Sequence, residues 1–158
     1  LTCDRVNGVL TVYTDSTMRI PIKTIRVSVG KAGTETPTGT WTMHRAGRWQ
    51  ELMGPSWGQY GTHVVNGIFV HSVACGQANS YNLPVGEYLR LGNPASHGCI
   101  RACVADAKWV WDNCNGSKIH IFDGTYTSNE ALKGPLGRKA LTPLRGSKNF
   151  DPTDPACK

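Results

Sequence analysis

Short runs of alternating apolar and polar residues, separated by turn-forming residues, dominate the first half of the chain. Residues 9–13 and 19–29 are rich in β-branched side chains and flank a turn at 15–17, which predicts two strands. The segment 30–39, rich in Gly, Thr and Pro, is predicted to be a loop. Further strands are predicted at residues 41–44, 68–70 and 119–122.

Helical spacing of apolar residues is clear in one long stretch, residues 103–114, which is followed by the stop signal Asn115-Gly116. A shorter helix is predicted over residues 84–91, with Glu87 in its early turns and Gly92 just past its end. Together these elements predict a mainly β fold with one principal helix.

Aromatic side chains gather without a clean period in residues 48–61, among several glycines. Two structures fit this segment, a covering loop or hairpin and a folded-over piece of core. We expect it to be a lid over a binding site, with Trp57 and Tyr60 as candidate substrate contacts.

A length of 158 residues suits one domain with a real hydrophobic core. We expect residues 1–124 to form the catalytic domain and residues 125–158 to form a Gly/Pro-rich C-terminal extension packed on it. No apolar run is long enough to span a bilayer. Because the chain starts at Leu1 rather than Met, we expect a processed chain from which targeting information has been removed.

The net charge is +6 and the isoelectric point is near 9.1. This charge fits a polyanionic partner or a solubilising surface. The basic residues are scattered, with one loose group near the C-terminus that comprises Lys133, Arg138, Lys139, Arg145 and Lys148. No nucleic-acid motif accompanies them, so we expect no nucleic-acid partner. An anionic cell wall suits the same charge.

Six cysteines are many for a cytosolic domain of this size and indicate an oxidising compartment. They are Cys3, Cys75, Cys99, Cys103, Cys114 and Cys157. Cys103 and Cys114, at opposite ends of one helix about 16 Å long, are too far apart to bridge. The pairs Cys3–Cys157 and Cys75–Cys103 are candidates, but sequence alone leaves the connectivity open.

The hexapeptide Ser96-His97-Gly98-Cys99-Ile100-Arg101 carries the chain's most specific chemistry. Glycine permits a turn in which backbone N–H groups converge, and a cysteine beside a base can act as a nucleophile. A thiolate, a base and backbone donors are the components of acyl transfer. We expect the Cys99 thiol to lie close to the N-terminus of the principal helix, where its pKa would be lowered.

A second motif, Phe69-Val70-His71-Ser72-Val73, lies upstream. The two motifs together resemble the L,D-transpeptidase catalytic domain (YkuD family). Residues 27–31, 36–41 and 105–113 extend the resemblance, which covers about residues 9–122 and implies the YkuD-like β-sandwich or mixed-sheet fold.

The resemblance implies a role for each motif residue. Cys99 is the nucleophile and His71 is the general base or ion-pair partner, which Ser72 orients through its backbone carbonyl. The N–H groups of His97, Gly98 and Cys99 form the oxyanion hole. The candidate substrate-binding residues are Arg101, which suits a carboxylate, with Ser96, Tyr60 and Trp57.

The implied reaction is attack on the bond between stem residue 3 and D-Ala-4 of peptidoglycan, followed by transfer of the thioacyl group to an acceptor amine, which forms a 3→3 cross-link. The expected partners are donor and acceptor stem peptides and carbapenem-type inhibitors. No metal or organic cofactor is expected. We expect a monomer that is extracytoplasmic in a bacterium, either secreted or associated with the cell wall.

Several alternatives stay open at this point. An L,D-carboxypeptidase would use water as the acceptor, and a non-catalytic cell-wall-binding module would keep the fold alone. If Cys99 is not catalytic, it is either a buried structural cysteine or part of a zinc site formed by His97, Cys99, Cys103 and His71. The remaining histidines, His44, His63 and His120, are interpreted as surface or core residues.

Overall fold

Eleven strands and two α-helices form the regular structure of residues 1–146 and 149–157, which are the residues that the computed structural model describes. Lys148, the last member of the loose basic group, lies outside them. The strands are β1 (Thr2–Asp4), β2 (Val9–Tyr13), β3 (Pro21–Arg26), β4 (Gly39–Thr42), β5 (His44–Arg45), β6 (Trp49–Leu52), β7 (Ser56–Gln59), β8 (Thr62–Val65), β9 (Ile68–Ser72), β10 (Ile100–Ala102) and β11 (Lys118–Phe122). The helices are α1 (Val85–Leu89) and α2 (Val104–Asn113), and a 3-10 helix covers Glu130–Leu132.

The larger sheet has the strand order β3-β2-β1-β11-β4. β1 pairs with β11 in parallel, and the other neighbours are antiparallel. On β11, buried and exposed residues alternate, as expected for a strand with one face on the core.

The smaller sheet has the order β10-β9-β8-β5, and its β9–β10 pair is parallel. Arg101 on β10 lies opposite His71 on β9. Because paired residues in a sheet point to the same face, this register places both side chains on one side. β6 and β7 form a separate antiparallel hairpin, in which Trp57 lies opposite Glu51.

The hydrophobic core joins the two sheets and α2. Its fully buried members include Leu10 and Ile119 from the larger sheet, Val70 and Ile100 from the smaller one, and Val110 from α2. The side chains of these residues lose nearly all contact with water, which is the main stabilising contribution to such a fold.

Most of the predicted elements are confirmed, including β2, β11, the turn at 15–17 and both helices. The predicted strand at 41–44 is wrong as one unit. Met43 is buried where the chain leaves the larger sheet, so β4 and β5 belong to different sheets. β1 was not predicted, because three residues carry too little pattern.

The segment after β11 runs over the outer face of β2 and β3, where Gly134 lies against Val9 and Thr11. Arg138 holds it there. The Arg138 Nη1 atom donates to the carbonyls of Asn7 (2.8 Å) and Gly92 (2.7 Å), and this guanidinium is almost fully buried.

Neither of the two candidate disulfides forms. All six cysteines lie within the described residues, and each is a free thiol. Cys3 lies in the core cluster of the larger sheet, whereas Cys157 is in the C-terminal segment beside Asp154. The Cys103 sulfur instead donates to Asp106 Oδ2 at 3.2 Å, and the Cys75 sulfur donates to the Val73 carbonyl at 3.7 Å.

None of the helices within the described residues has the length and apolar character that a bilayer-spanning helix needs.

Glu130 anchors the C-terminal segment electrostatically, and we expect its removal to destabilise the fold in a pH-dependent way. Its carboxylate accepts two hydrogen bonds of 2.7 Å from Arg138. The Arg138 contact lowers the pKa of Glu130 from its usual value of 4.5 to about 2. This stabilisation is therefore present above the ordinary carboxyl range and is lost as pH falls towards 2.

Urea denaturation tests this prediction. Glu130→Gln should lower the free energy of unfolding by about 1–2 kcal/mol at pH 7, a modest value because Glu130 is half exposed. The difference from wild type should shrink in acid. Glu35→Gln, on an exposed loop, is the control and should leave the free energy of unfolding close to the wild-type value. An equal loss for Glu130→Gln at neutral and acid pH would contradict the electrostatic account.

Candidate active site

His71 lies near the end of β9 and is 1% exposed. Its Nδ1 atom contacts the carbonyl oxygen of Ser72. A carbonyl only accepts hydrogen bonds, so Nδ1 carries the proton, and in the neutral ring Nε2 keeps the lone pair of a base. This is the contact through which Ser72 was expected to orient His71.

Burial sets the protonation state of His71. It lowers the pKa of the imidazole to about 4, against a smaller raising effect of the Ser72 carbonyl, and the positive charge of Arg101 lowers it further. The ring is therefore neutral at pH 7. Of the two expected roles, general base and ion-pair partner, this electrostatic environment favours the general base.

Gly58 on β7 brings the hairpin backbone directly against the His71 ring. A Cβ atom at this position would lie 2.6 Å from Nδ1 and 2.8 Å from Cγ of the imidazole. Only glycine permits this approach. The next residue, Gln59, donates its backbone N–H to Ser72 Oγ at 2.8 Å, so β7 holds both residues of the His71-Ser72 pair. Sequence analysis missed this role, although a glycine inside a strand often marks a close backbone contact.

Cys99 follows a tight turn that hydroxyl groups hold together. Ser96 Oγ donates to the Cys99 carbonyl (2.6 Å) and accepts from the Gly98 N–H (3.1 Å). Thr36 Oγ1 donates to the Gly98 carbonyl at 2.6 Å. Gly98 has φ +128°, a conformation that side chains disfavour, and Ile68 Cδ1 fills the space of a Cβ. The Ser96 hydroxyl thus stabilises the turn.

The Cys99 sulfur faces backbone groups of β9 and the preceding turn. It accepts from the Phe69 N–H at 3.4 Å and donates to the Gly67 carbonyl at 3.5 Å. Burial raises the pKa of this thiol, although the Phe69 N–H and the charge of Arg101 partly lower it. The resting pair is thus a neutral thiol and a neutral imidazole.

The principal helix begins at Val104, as expected, but the strand β10 lies between it and Cys99, so the helix does not follow the thiol directly. The first amides of α2 bind other groups. Val104 N–H donates to Asp151 Oδ2 (2.8 Å), and Ala105 N–H donates to Thr153 Oγ1 (3.0 Å). Residues of the C-terminal segment therefore take up the positive end of the helix dipole.

One cavity of about 540 Å³ brings the two motifs together. It is bordered by residues 51–53 and Ser56 of the hairpin, residues 67–69, His71 and Ala74, and Ser96, His97, Cys99 and Arg101. His71 and Cys99, 28 positions apart in sequence, thus share one solvent-accessible space. The hairpin of β6 and β7 forms a wall of this space, in the segment where a lid was expected.

Arg101 supplies positive charge to the cavity. Its Nη1 atom donates to Glu87 Oε2 on α1 at 2.9 Å. Its Nε atom is buried and has no partner within residues 1–146 and 149–157. A guanidinium with an unused donor beside a cavity is suited to a planar anion such as a carboxylate.

Tyr60 and Trp57, expected to contact substrate, do not border this cavity. Tyr60 is 6% exposed and packs edge-on against Trp111, with ring centres 5.5 Å apart. Trp57 exchanges backbone hydrogen bonds with Cys75. On β7, Ser56 is the residue that borders the cavity.

The four residues of the zinc alternative are not gathered around one point. His97 is exposed, and the Cys103 sulfur is bonded to Asp106 on a different surface. In the described part of the chain, no group of three or more His, Cys, Asp or Glu side chains is arranged to hold a metal ion.

Alkylation kinetics test the neutral state of the pair. The rate of Cys99 modification by iodoacetamide should rise steadily with pH and still be rising beyond about pH 8.5, because the thiol has a raised pKa. Peptide mapping should locate the label, with Cys99→Ser as control. A rate that is flat between about pH 5 and 8 would instead reveal a preformed thiolate–imidazolium pair.

This chain is similar to known proteins in sequence and in fold. The sequence profile of the L,D-transpeptidase catalytic domain family (YkuD) matches residues 2–131. Over 27 residues the chain is 59% identical to the Bacillus subtilis (strain 168) protein described as "Putative L,D-transpeptidase YciB", a stretch that is 17% of this chain and 14% of that protein.

Two solved structures share the fold. LdtMt1 in complex with imipenem superposes with a TM-score of 0.58 at 22% identity, over 77% of this chain and 57% of that one. L,D-transpeptidase 3 from Mycobacterium tuberculosis, in complex with a faropenem-derived adduct, gives 0.56 at 18% identity, over 77% and 59%. The chain spans less than two thirds of the length of these relatives. On the match across residues 2–131, the chain belongs to the L,D-transpeptidase catalytic domain family.

Proposed function

We propose that this protein is a peptidoglycan L,D-transpeptidase in which Cys99 is the nucleophile and His71 is the base. One observation carries the proposal most directly. The two side chains border the same cavity, and the Ser72 carbonyl fixes the imidazole in the tautomer that has its lone pair on Nε2.

The first half-reaction begins with proton transfer from the Cys99 thiol to His71 Nε2. The thiolate attacks the carbonyl that joins the L-centre of stem residue 3 to D-Ala-4, forming a C–S bond and a tetrahedral oxyanion. As the C–N bond breaks, His71 returns the proton to the leaving amine of D-Ala. The products are a thioacyl enzyme and free D-Ala.

The oxyanion requires donors that are in place before the reaction. We assign this role to the backbone N–H groups of His97 and Cys99. The Gly98 N–H, also expected in this role, is engaged by Ser96 Oγ in the resting turn. The Ser96 side chain, expected to bind substrate, is assigned to holding the turn.

Arg101 is proposed to bind a carboxylate of the stem peptide. Glu87 occupies one nitrogen of the guanidinium and leaves others for a ligand. Because the same guanidinium charge lowers the pKa of both His71 and Cys99, a bound carboxylate also changes the electrostatics of the reacting pair.

In the second half-reaction, the side-chain amine of stem residue 3 in a neighbouring strand attacks the thioester, giving a 3→3 cross-link. Water as the acceptor would make the enzyme an L,D-carboxypeptidase. The paired His71 and Cys99 favour either enzyme over a non-catalytic wall-binding module. Action on the wall implies an extracytoplasmic location in a bacterium, secreted or wall-associated, and the charge of +6 suits that anionic surface. We propose a monomer.

Inhibitor complexes of structural relatives support a reactive centre of this kind. One relative is in complex with imipenem and another with a faropenem-derived adduct. By the mechanism above, a carbapenem acylates Cys99 here, because its strained carbonyl occupies the position of the scissile amide.

Product analysis with a disaccharide-free stem tetrapeptide tests the function. We expect release of D-Ala together with a cross-linked dimer, and covalent adducts with imipenem on Cys99 by intact mass. Cys99→Ala should show neither. Tripeptide without dimer would establish the carboxypeptidase instead. Absence of both turnover and adduct in the wild type, or an adduct on Cys99→Ala, would contradict the assignment of Cys99.

Gly58→Ala should slow acylation by displacing His71. The new methyl group would overlap the imidazole, so either the ring or β7 must move. A displacement near 1 Å costs up to about 100-fold in rate. Gly86→Ala, in α1, where no atom lies within 4 Å of the new Cβ and the backbone has no positive φ, is the control for an added methyl group. Equal acylation rates for the two variants would argue against a positioning role of Gly58.

A further inference from the structure

A chain of buried polar groups runs from the C-terminal segment to the catalytic histidine. Asp154 Oδ2 accepts a hydrogen bond of 3.0 Å from Gln59 Nε2. The backbone N–H of Gln59 donates to Ser72 Oγ at 2.8 Å, and the Ser72 carbonyl accepts from His71 Nδ1. Three contacts therefore connect residue 154 to residue 71.

Every member of this chain is shielded from solvent. The exposed fractions are 3% for Gln59, 3% for Asp154, 2% for Ser72 and 1% for His71. Hydrogen bonds in such surroundings do not compete with water, so each one restrains the orientation of its partner. In water, the same contacts would exchange freely and restrain little.

The C-terminal segment is itself held firmly. Asp154 Oδ1 accepts from the Ala156 N–H at 2.9 Å, and the Asp154 N–H donates to the Asp151 carbonyl at 3.0 Å. Asp151 in turn binds the first amide of α2. The carboxylate that receives Gln59 is thus fixed relative to the helix that follows the Cys99 motif.

Gln59 stands at the centre of this arrangement because of its place on β7. Its backbone binds Ser72, its side chain reaches Asp154, and its neighbour Gly58 touches the His71 ring. Any shift of β7 would therefore be transmitted to the imidazole by two routes, through steric contact and through the Ser72 hydroxyl.

We propose that Gln59 and Asp154 are positioning residues for His71, so that the C-terminal segment forms part of the catalytic machinery; this inference rests on the proposed function of the Cys99–His71 pair. Neither side chain borders the cavity or touches substrate. They act by holding β7 against the ring, which keeps the imidazole in one orientation within the cavity wall.

A contribution to folding stability does not by itself explain the hydrogen bond between Gln59 and Asp154. Gln59 Oε1 is buried and has no partner in the part of the chain that the structure describes. An amide with one end satisfied and the other unsatisfied contributes little net free energy to folding. Replacement by methionine, which has a similar shape, therefore separates positioning from stability.

The test compares Gln59→Met, Asp154→Asn and the double variant with wild type. We expect Gln59→Met to lower the rate of Cys99 acylation by imipenem between about tenfold and a hundredfold at pH 7. For the tetrapeptide, kcat should fall while KM stays near the wild-type value. Because Asp154 acts through Gln59, adding Asp154→Asn to Gln59→Met should produce no further loss.

Asp4→Asn is the matched control. It also alters a buried carboxylate, but one on β1 whose partners are the backbone N–H groups of Val6, Asn7 and Gly124 rather than a residue of β7. It should lower thermal stability and leave the acylation rate of the folded protein near wild type. Melting curves of all variants give the folded fraction, by which each rate is divided.

Proton NMR gives a readout that does not depend on activity. In wild type, the His71 Nδ1–H, bonded to Ser72, should give a downfield signal that exchanges slowly with water. Gln59→Met should broaden or remove it in a protein that remains folded. Wild-type rates and an unchanged signal in the variants would overturn the proposal, and so would losses fully explained by the unfolded fraction. A wild type that neither acylates nor turns over substrate would refute the proposed function, while the NMR comparison would still test the positioning.

Discussion

The parallel pairing of β9 with β10 is the constraint on which the site depends. Its register sets Arg101 opposite His71 and thereby places Cys99, two residues earlier, beside the same face of the sheet. Parallel strands cannot be joined by a tight hairpin, so the chain needs a long crossover between them. Residues 73–99 provide it, and they contain α1, whose Glu87 returns to bind Arg101. The separation of the two motifs in sequence is therefore a consequence of their proximity in the sheet.

Burial of the imidazole is the second constraint, and it shapes the chemistry. With ordinary pKa values of about 8.5 for cysteine and about 6.5 for histidine, the uncharged pair is already favoured at neutral pH, and desolvation of both groups favours it further. Here burial is the largest effect on both groups, and it moves their pKa values apart. In the proposed mechanism, the Cys99 thiolate is therefore generated within the reaction, by proton transfer to His71. This makes the orientation of His71 more important than its average charge, and the close approach of Gly58 serves that orientation.

Local pattern predicted the elements well where it was strong. β2, α2 and β11 lie where alternation, helical spacing and stop signals placed them, and the two motifs share a cavity as their chemistry requires. The failures concern contacts that local pattern does not encode. At Met43 the chain passes from one sheet to the other, although residues 41–44 have the pattern of a continuous strand. The Tyr60 side chain is buried, although it lies in a glycine-rich segment. The pairing of Gln59 with Asp154 joins residues 95 positions apart, and neither residue stands out in its own sequence neighbourhood.

The C-terminal segment supplies hydrogen-bond partners for polar groups that are buried near the candidate active site. The first amides of a helix and a buried side-chain amide such as that of Gln59 both need partners once water is excluded. Asp151 and Thr153 supply them at α2, and Asp154 supplies one at β7. The family profile ends at residue 131, so Asp151, Thr153 and Asp154 lie beyond it. Residues beyond the shared part of the domain thus bind the N-terminus of α2 and the side chain of Gln59 on β7, the strand that contacts the His71 ring.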